Sequence, residues 1–167
     1  MERPDNLEEA LERWRKGGAS LDEVRALSRD IGKQQFAPGI PVLIELLDHE
    51  DEIVRYNATK ALGFGLHHKP ATDKMITMLG ADADEDVRDV AAGALSTIWQ
   101  NTREPRTLKA LANAALTDPD EDLRNRAFQA LLIVNGVSKE EHLDLLTSEK
   151  LEVDPTRVKA ILAEISK

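Results

Sequence analysis

The sequence contains no cysteine, which excludes disulfides, thiol catalysis and metal sites built from thiolates. Only 4% of the 167 residues are aromatic, so small and branched aliphatic side chains must fill the core, a composition that suits closely packed helices. No run of 18 apolar residues occurs, and the N-terminal segment MERPDNLEEALERW is charged throughout. The sequence therefore predicts a chain without a membrane segment, located in the cytoplasm.

Basic residues are outnumbered by acidic ones. Lys and Arg number 22 against 31 Asp and Glu, and the formal net charge is −9. Affinity for a nucleic acid backbone rests on Lys and Arg side chains that displace counterions. The charge balance therefore argues against nucleic acid as a ligand and favours another protein, one with a basic surface.

What the chain does contain is one pattern in three copies, DEIVRYNATKALGFGL, DEDVRDVAAGALSTIW and DEDLRNRAFQALLIVN. Each copy has an acidic pair, an apolar residue, an arginine and then Ala-x-x-Ala-Leu. The copies start at residues 51, 84 and 120, which places them 33 and 36 residues apart. Self-similarity at a period of about 20–50 residues is typical of stacked repeats. The pattern therefore predicts an all-α fold, an α-solenoid of about five antiparallel helical hairpins.

Helix start and stop signals divide the chain further. Ser20 and Glu23 form a capping box, Gly136 ends the third copy, and Asp154-Pro155 opens the last helix. These signals predict one domain with an irregular N-terminal hairpin at 1–35, three regular repeats at 38–136 and a C-terminal capping hairpin at 138–167.

The last helix allows two registers. Arg157 lies 33 residues after Arg124, but the apolar stripe of the helix fits a register shifted by two residues. Burial of four aliphatic side chains outweighs a pattern match, so Arg157 is predicted to be a surface residue. The stripe consists of Val158, Ile161, Leu162 and Ile165.

The three copies resemble the second helix of HEAT repeats, particularly the phycobilisome-lyase type of HEAT-like repeat. The resemblance covers residues 40–135 well and both ends loosely. It implies that the second helices line a concave face, and that arginines early in these helices bond to turn aspartates in a ladder. The implied ladder arginines are Arg55, Arg88 and Arg124, with Asp48, Asp82 and Asp118 as turn partners.

Two surfaces follow as candidate binding sites. The inner face of the second helices is predicted to present Tyr56, Lys60, Asp89, Ser96, Asn125 and Gln129. Along one edge, the stacked turns are predicted to form an acidic ridge of Asp48, Asp82 and Asp118, which would steer a basic partner.

Signatures of catalysis and of metal binding are missing from the sequence. The acid clusters at 82–86 and 118–122 lack the glycine turn and distal glutamate of a calcium loop. His67 and His68 are adjacent and point to different faces of a helix, while His49 and His142 lie in other repeats. We therefore expect no metal, no cofactor and no catalytic residues.

The predicted function is a non-catalytic protein–protein interaction module that presents a rigid concave surface, as an adaptor, an assembly factor or an immunity-type inhibitor. The resemblance implies one alternative, a bilin chromophore lyase or a subunit of one. Fold alone does not decide between them.

Overall fold

In a computed structural model, the chain is described over residues 7–147 and 151–165. The described residues form α-helices and contain no strand, so the predicted all-α class is confirmed. Residues 1–6, 148–150 and 166–167, at the ends of or within the predicted terminal hairpins, lie outside this description. The helices are α1 (Leu7–Arg15), α2 (Leu21–Lys33), α3 (Ile40–Leu46), α4 (Glu52–Lys60), α5 (Thr72–Ala81), α6 (Glu85–Ile98), α7 (Pro105–Thr117), α8 (Glu121–Asn135), α9 (Lys139–Thr147) and α10 (Pro155–Ile165).

The first eight helices pair in chain order into four antiparallel hairpins, α1 with α2 through to α7 with α8. The second helix of each hairpin packs on the second helix of the next, so that α2, α4, α6 and α8 form one continuous layer. This arrangement is the predicted α-solenoid. A buried aliphatic core runs between the layers through all four hairpins.

Carboxylates begin three of these second helices. Asp51 accepts a hydrogen bond from the Val54 amide, and Asp84 accepts one from the Val87 amide, both at 3.0 Å. Asp120 accepts from the Leu123 amide at 2.8 Å in the same way. Each carboxylate satisfies an amide that has no partner within its helix and lies at the positive end of the helix dipole.

Small residues let neighbouring second helices approach closely. A Cβ atom on Gly32 would lie 2.6 Å from the Ala61 Cβ, and one on Gly63 would lie 2.3 Å from the Ala94 Cβ. Both distances are shorter than any real contact between carbon atoms. The repeated alanine six residues after each arginine is therefore a contact point between helices.

A π-helical turn at Ala61–Gly65 follows α4. The Leu66 amide donates to the Ala61 carbonyl five residues earlier, at 2.9 Å. A π turn holds one more residue than an α turn and so changes the direction of the side chains after it. Phe64, within this turn, is 42% exposed, and its ring lies over Gly93, where a Cβ atom would be 2.9 Å from the Phe64 Cζ.

The last two helices pack on different members of the fourth hairpin, α9 on α8 and α10 on α7. Val158 and Ile161, from the predicted apolar stripe, are buried. Arg157 is exposed and donates to Glu141 of α9 at 3.0 Å. The two helices cover the end of the fourth hairpin.

Candidate functional site

A groove with a volume of about 550 Å³ crosses the second helices of the three regular repeats. It is lined by α4 with its π turn, by α6 and by α8. Its apolar part is formed by Tyr56, Phe64, Val90, Ala130 and Ile133. The groove therefore depends on the stacking of three repeats, because no single hairpin supplies more than one wall.

Charged and amide side chains form the polar part of the groove. Arg126 Nε donates to Asp89 Oδ1 at 3.1 Å, and its Nη1 donates to Gln129 Oε1 at 3.0 Å. The Lys60 Nζ lies 5.5 Å from the centre of the Tyr56 ring. Two cations thus line the groove against one carboxylate, a local excess of positive charge on a chain whose net charge is −9.

Most of the inner-face residues predicted from the sequence meet in this groove. They are Tyr56, Lys60, Asp89, Ser96 and Gln129. Ser96 contributes little to its exposed surface, because the residue is buried and its hydroxyl donates to the Gly93 carbonyl at 2.8 Å. Asn125 is not part of the groove lining, and the next residue of α8, Arg126, lies there instead.

Sequence reasoning missed Phe64, Thr97 and Ile133, which lie nine residues after the three ladder arginines and line the groove. The predicted residues lie one, five or eight positions after a ladder arginine. Steps of four residues keep to one helix face, so positions one, five and nine were the available signal. Position eight falls on the buried side, as Leu132 shows.

Arginines bridge successive repeats next to this layer. Arg55 donates to both oxygens of Asp82, through Nε at 2.9 Å and Nη2 at 2.7 Å, while its Nη1 donates to the His49 and Glu50 carbonyls. Arg88 makes the same set of bonds to Asp118 and to the preceding turn. Each arginine therefore fixes its own turn to the turn of the next repeat.

The ladder begins one repeat earlier than the resemblance implied. Arg25 Nε donates to Asp51 Oδ1 at 3.0 Å. The overlooked signal was the string DEVR at 22–25, which is similar to the start of the later copies but one residue shorter. At the other end, Arg124 donates to the carbonyls of Asp118 and Pro119. No carboxylate among the described residues pairs with it.

The predicted acidic ridge is wrong for two of its three residues. The side chains of Asp82 and Asp118 are only 7% and 8% exposed, because each is held by a ladder arginine. Asp48 is exposed and pairs with Lys74. It is also one residue out of register: six residues before each arginine stand His49, Asp82 and Asp118.

His49 takes over part of the aspartate's role in the first regular repeat. Its Nδ1 accepts a hydrogen bond from the Asp51 amide at 3.0 Å. Asp82 and Asp118 accept from the Asp84 and Asp120 amides at the same distance. The turn carboxylates are therefore structural. They are not available to steer a basic partner toward the chain.

The ladder carboxylates should make stability depend on pH. Burial alone would raise the pKa of Asp82, but hydrogen bonds from Arg55 and the Asp84 amide outweigh it and lower the pKa below its ordinary value. A lowered pKa stabilises the fold at pH values above the unfolded pKa of about 4, and this contribution is lost as the pH falls through the folded pKa. We expect Asp82→Asn to lower the free energy of unfolding at neutral pH, with a difference from the unsubstituted chain that shrinks below about pH 4.

Urea denaturation between about pH 7 and pH 3 measures this difference. Asp144→Asn, at an exposed carboxylate of α9 without an ion pair in the described part of the chain, is the control. Equal pH dependence in the two variants would contradict the assignment.

Within 7–147 and 151–165, no group of three or more His, Asp or Glu side chains is placed to hold a metal ion. The side chain of His142 lies outside what the structure describes. None of the described helices combines the length and the hydropathy needed to cross a bilayer.

Stacked hairpins, a layer of second helices and an arginine ladder define a helical-repeat solenoid with one shared groove. A sequence profile of HEAT repeats matches residues 24–132, and the chain therefore belongs to the HEAT-repeat family. Repeats of this family generally serve as scaffolds for protein interaction. No curated protein sequence matches the chain. The finer resemblance to the phycobilisome-lyase type stays a prediction.

Proposed function

We propose that the chain is a non-catalytic protein-interaction module that holds a segment of a partner protein in the groove of α4, α6 and α8. Phe64 is the observation that carries the proposal. This large aromatic side chain, which belongs to the π turn, lines the groove, and 42% of its surface is exposed. Aromatic residues in grooves are enriched among the contacts that supply most of the binding energy between proteins.

The rigidity of the surface supports the proposal. Arg25, Arg55 and Arg88 each bond a carboxylate of the following repeat, and glycine–alanine contacts set the spacing of the second helices. A surface that is ordered before binding loses less conformational entropy when a partner binds. An adaptor, an assembly factor and an inhibitor would all use such a surface.

The chemistry of the groove supports binding without catalysis. Its carboxylate, Asp89, is paired with Arg126, and the Ser96 hydroxyl donates to a backbone carbonyl. Neither group is hydrogen-bonded to a base that would activate a nucleophile. The remaining lining groups are apolar, amide, hydroxyl or cationic.

Site-specific photo-crosslinking in the native host tests the proposal. A photoreactive phenylalanine analogue at position 64 should give a discrete protein adduct, because a bound segment would contact it. The same analogue at Leu116 is the control, since Leu116 is 37% exposed on α7, outside the groove. Adducts of equal yield at both positions, or at Leu116 alone, would show that the groove is not the binding surface.

A further inference from the structure

We propose that the segment bound in the groove is acidic, with one or more carboxylates beside an apolar side chain. This inference rests on the proposed function and adds the chemistry of the partner. It reverses the expectation of a basic partner, which depended on turn carboxylates that the arginine ladder occupies.

Lys60 supplies the first cation, from the α4 side of the groove. Its side chain is exposed, and its ammonium lies against the Tyr56 ring at 5.5 Å from the ring centre. Among the described residues, no carboxylate pairs with it. A contact with an aromatic face positions an ammonium and still leaves its N–H donors available to an anion.

Arg126 supplies the second cation, from α8 on the other side. Its Nε and Nη1 are used by Asp89 and Gln129, which hold the plane of the guanidinium, while the structure gives Nη2 no hydrogen-bond partner in the described part of the chain. The side chain is 46% exposed. A guanidinium held in this way presents its remaining donors to a carboxylate with little further loss of side-chain freedom.

The α6 wall between these cations is apolar, because the Phe64 ring fills the space over Gly93. Gly93 occupies the position that Lys60 holds on α4 and Gln129 holds on α8, five residues after the ladder arginine. It has no side chain, and Phe64 lies against it. An acidic segment with an apolar residue matches this arrangement in charge and in apolar surface, whereas a basic segment would face two cations and a carboxylate that is already paired with Arg126.

Selection from a displayed library of random peptides of about 12 residues tests the chemistry, with the full chain as bait. Enriched peptides should carry Asp or Glu beside Phe, Leu or Trp. Their affinities for the chain and its variants are then measured by fluorescence anisotropy. The groove variant is the double charge reversal Lys60→Glu with Arg126→Glu, and circular dichroism confirms that it folds.

The matched control is Lys109→Glu with Arg15→Glu, which reverses two exposed cations on α7 and α1 and changes the net charge equally. We expect the groove variant to bind the enriched peptides at least about tenfold more weakly, and the control to stay within about twofold. Lys60→Gln, which leaves the Arg126 contacts intact, should weaken binding by about threefold.

Other outcomes overturn the inference. Enriched peptides that are neutral or basic, but bind Phe64→Ala more weakly, would leave the groove as a protein-binding site and refute its acidic ligand. Peptides that are insensitive to every groove substitution would refute both proposals. Binding of labelled oligothymidylate, or self-association of the chain, that is lost in the groove variant would replace the acidic segment with nucleic acid or with a second copy.

Discussion

Arg55→Ala is expected to lower the free energy of unfolding by about 2–4 kcal/mol, because it removes four charge-assisted hydrogen bonds at once. The substitution also leaves Asp82, whose side chain is 7% exposed, as a nearly buried carboxylate without its counter-charge. Loss of one member of a buried pair is far more destabilising than loss of an exposed one. The turn at His49 and Glu50 also loses its connection to the turn at Asp82 in the next repeat.

Arg157→Ala is the control for this experiment. Arg157 also forms an ion pair with a glutamate, but 48% of its side chain and 43% of its partner's are exposed. Exposed pairs contribute about 0–1 kcal/mol. Chemical denaturation of both variants gives the comparison, and Arg55→Lys, which keeps the charge but not the planar fork, should recover only part of the loss. Similar losses for Arg55→Ala and Arg157→Ala would show that the ladder is a surface feature.

The helices and their order could be predicted because their signals are local. Caps such as Asp84 and Asp120, and apolar residues at helical spacing, act within a few residues of chain. The ladder could be predicted only in part. The turn residue of the first regular repeat was predicted wrongly, because His49 stands where the later repeats have aspartate. Its ring nitrogen accepts the turn amide that a carboxylate accepts in those repeats. A search for aspartate selects Asp48, one residue too early.

The groove shows a different limit. The positions that line it are set by helix geometry and could be predicted from the sequence. The π turn after α4 could not. That turn arises where Gly63 and Gly65 meet neighbouring helices more closely than a side chain would allow. Close approach between helices is a tertiary property, so a pattern within one copy does not reveal this turn.

Glycine-to-alanine substitutions at Gly63 and Gly80 should have opposite effects. A Cβ atom on Gly63 would lie 2.3 Å from the Ala94 Cβ and 2.9 Å from its Cα, so the π turn after α4 and helix α6 must separate to accept a methyl group. Overpacking of this kind destabilises by about 1–3 kcal/mol. Gly80, in α5, is exposed and has no atom near its Cβ direction.

At Gly80 the alanine methyl therefore meets only solvent, and the lower backbone freedom of the unfolded chain should stabilise the fold by about 0.5–1 kcal/mol. Thermal and urea denaturation of both variants measure these two changes in the free energy of unfolding. Because the two substitutions add the same methyl group to a helical glycine, their difference reports the contact with Ala94 rather than helix propensity. A stabilising effect at both positions would mean that the π turn after α4 and helix α6 are packed less closely than the structure shows.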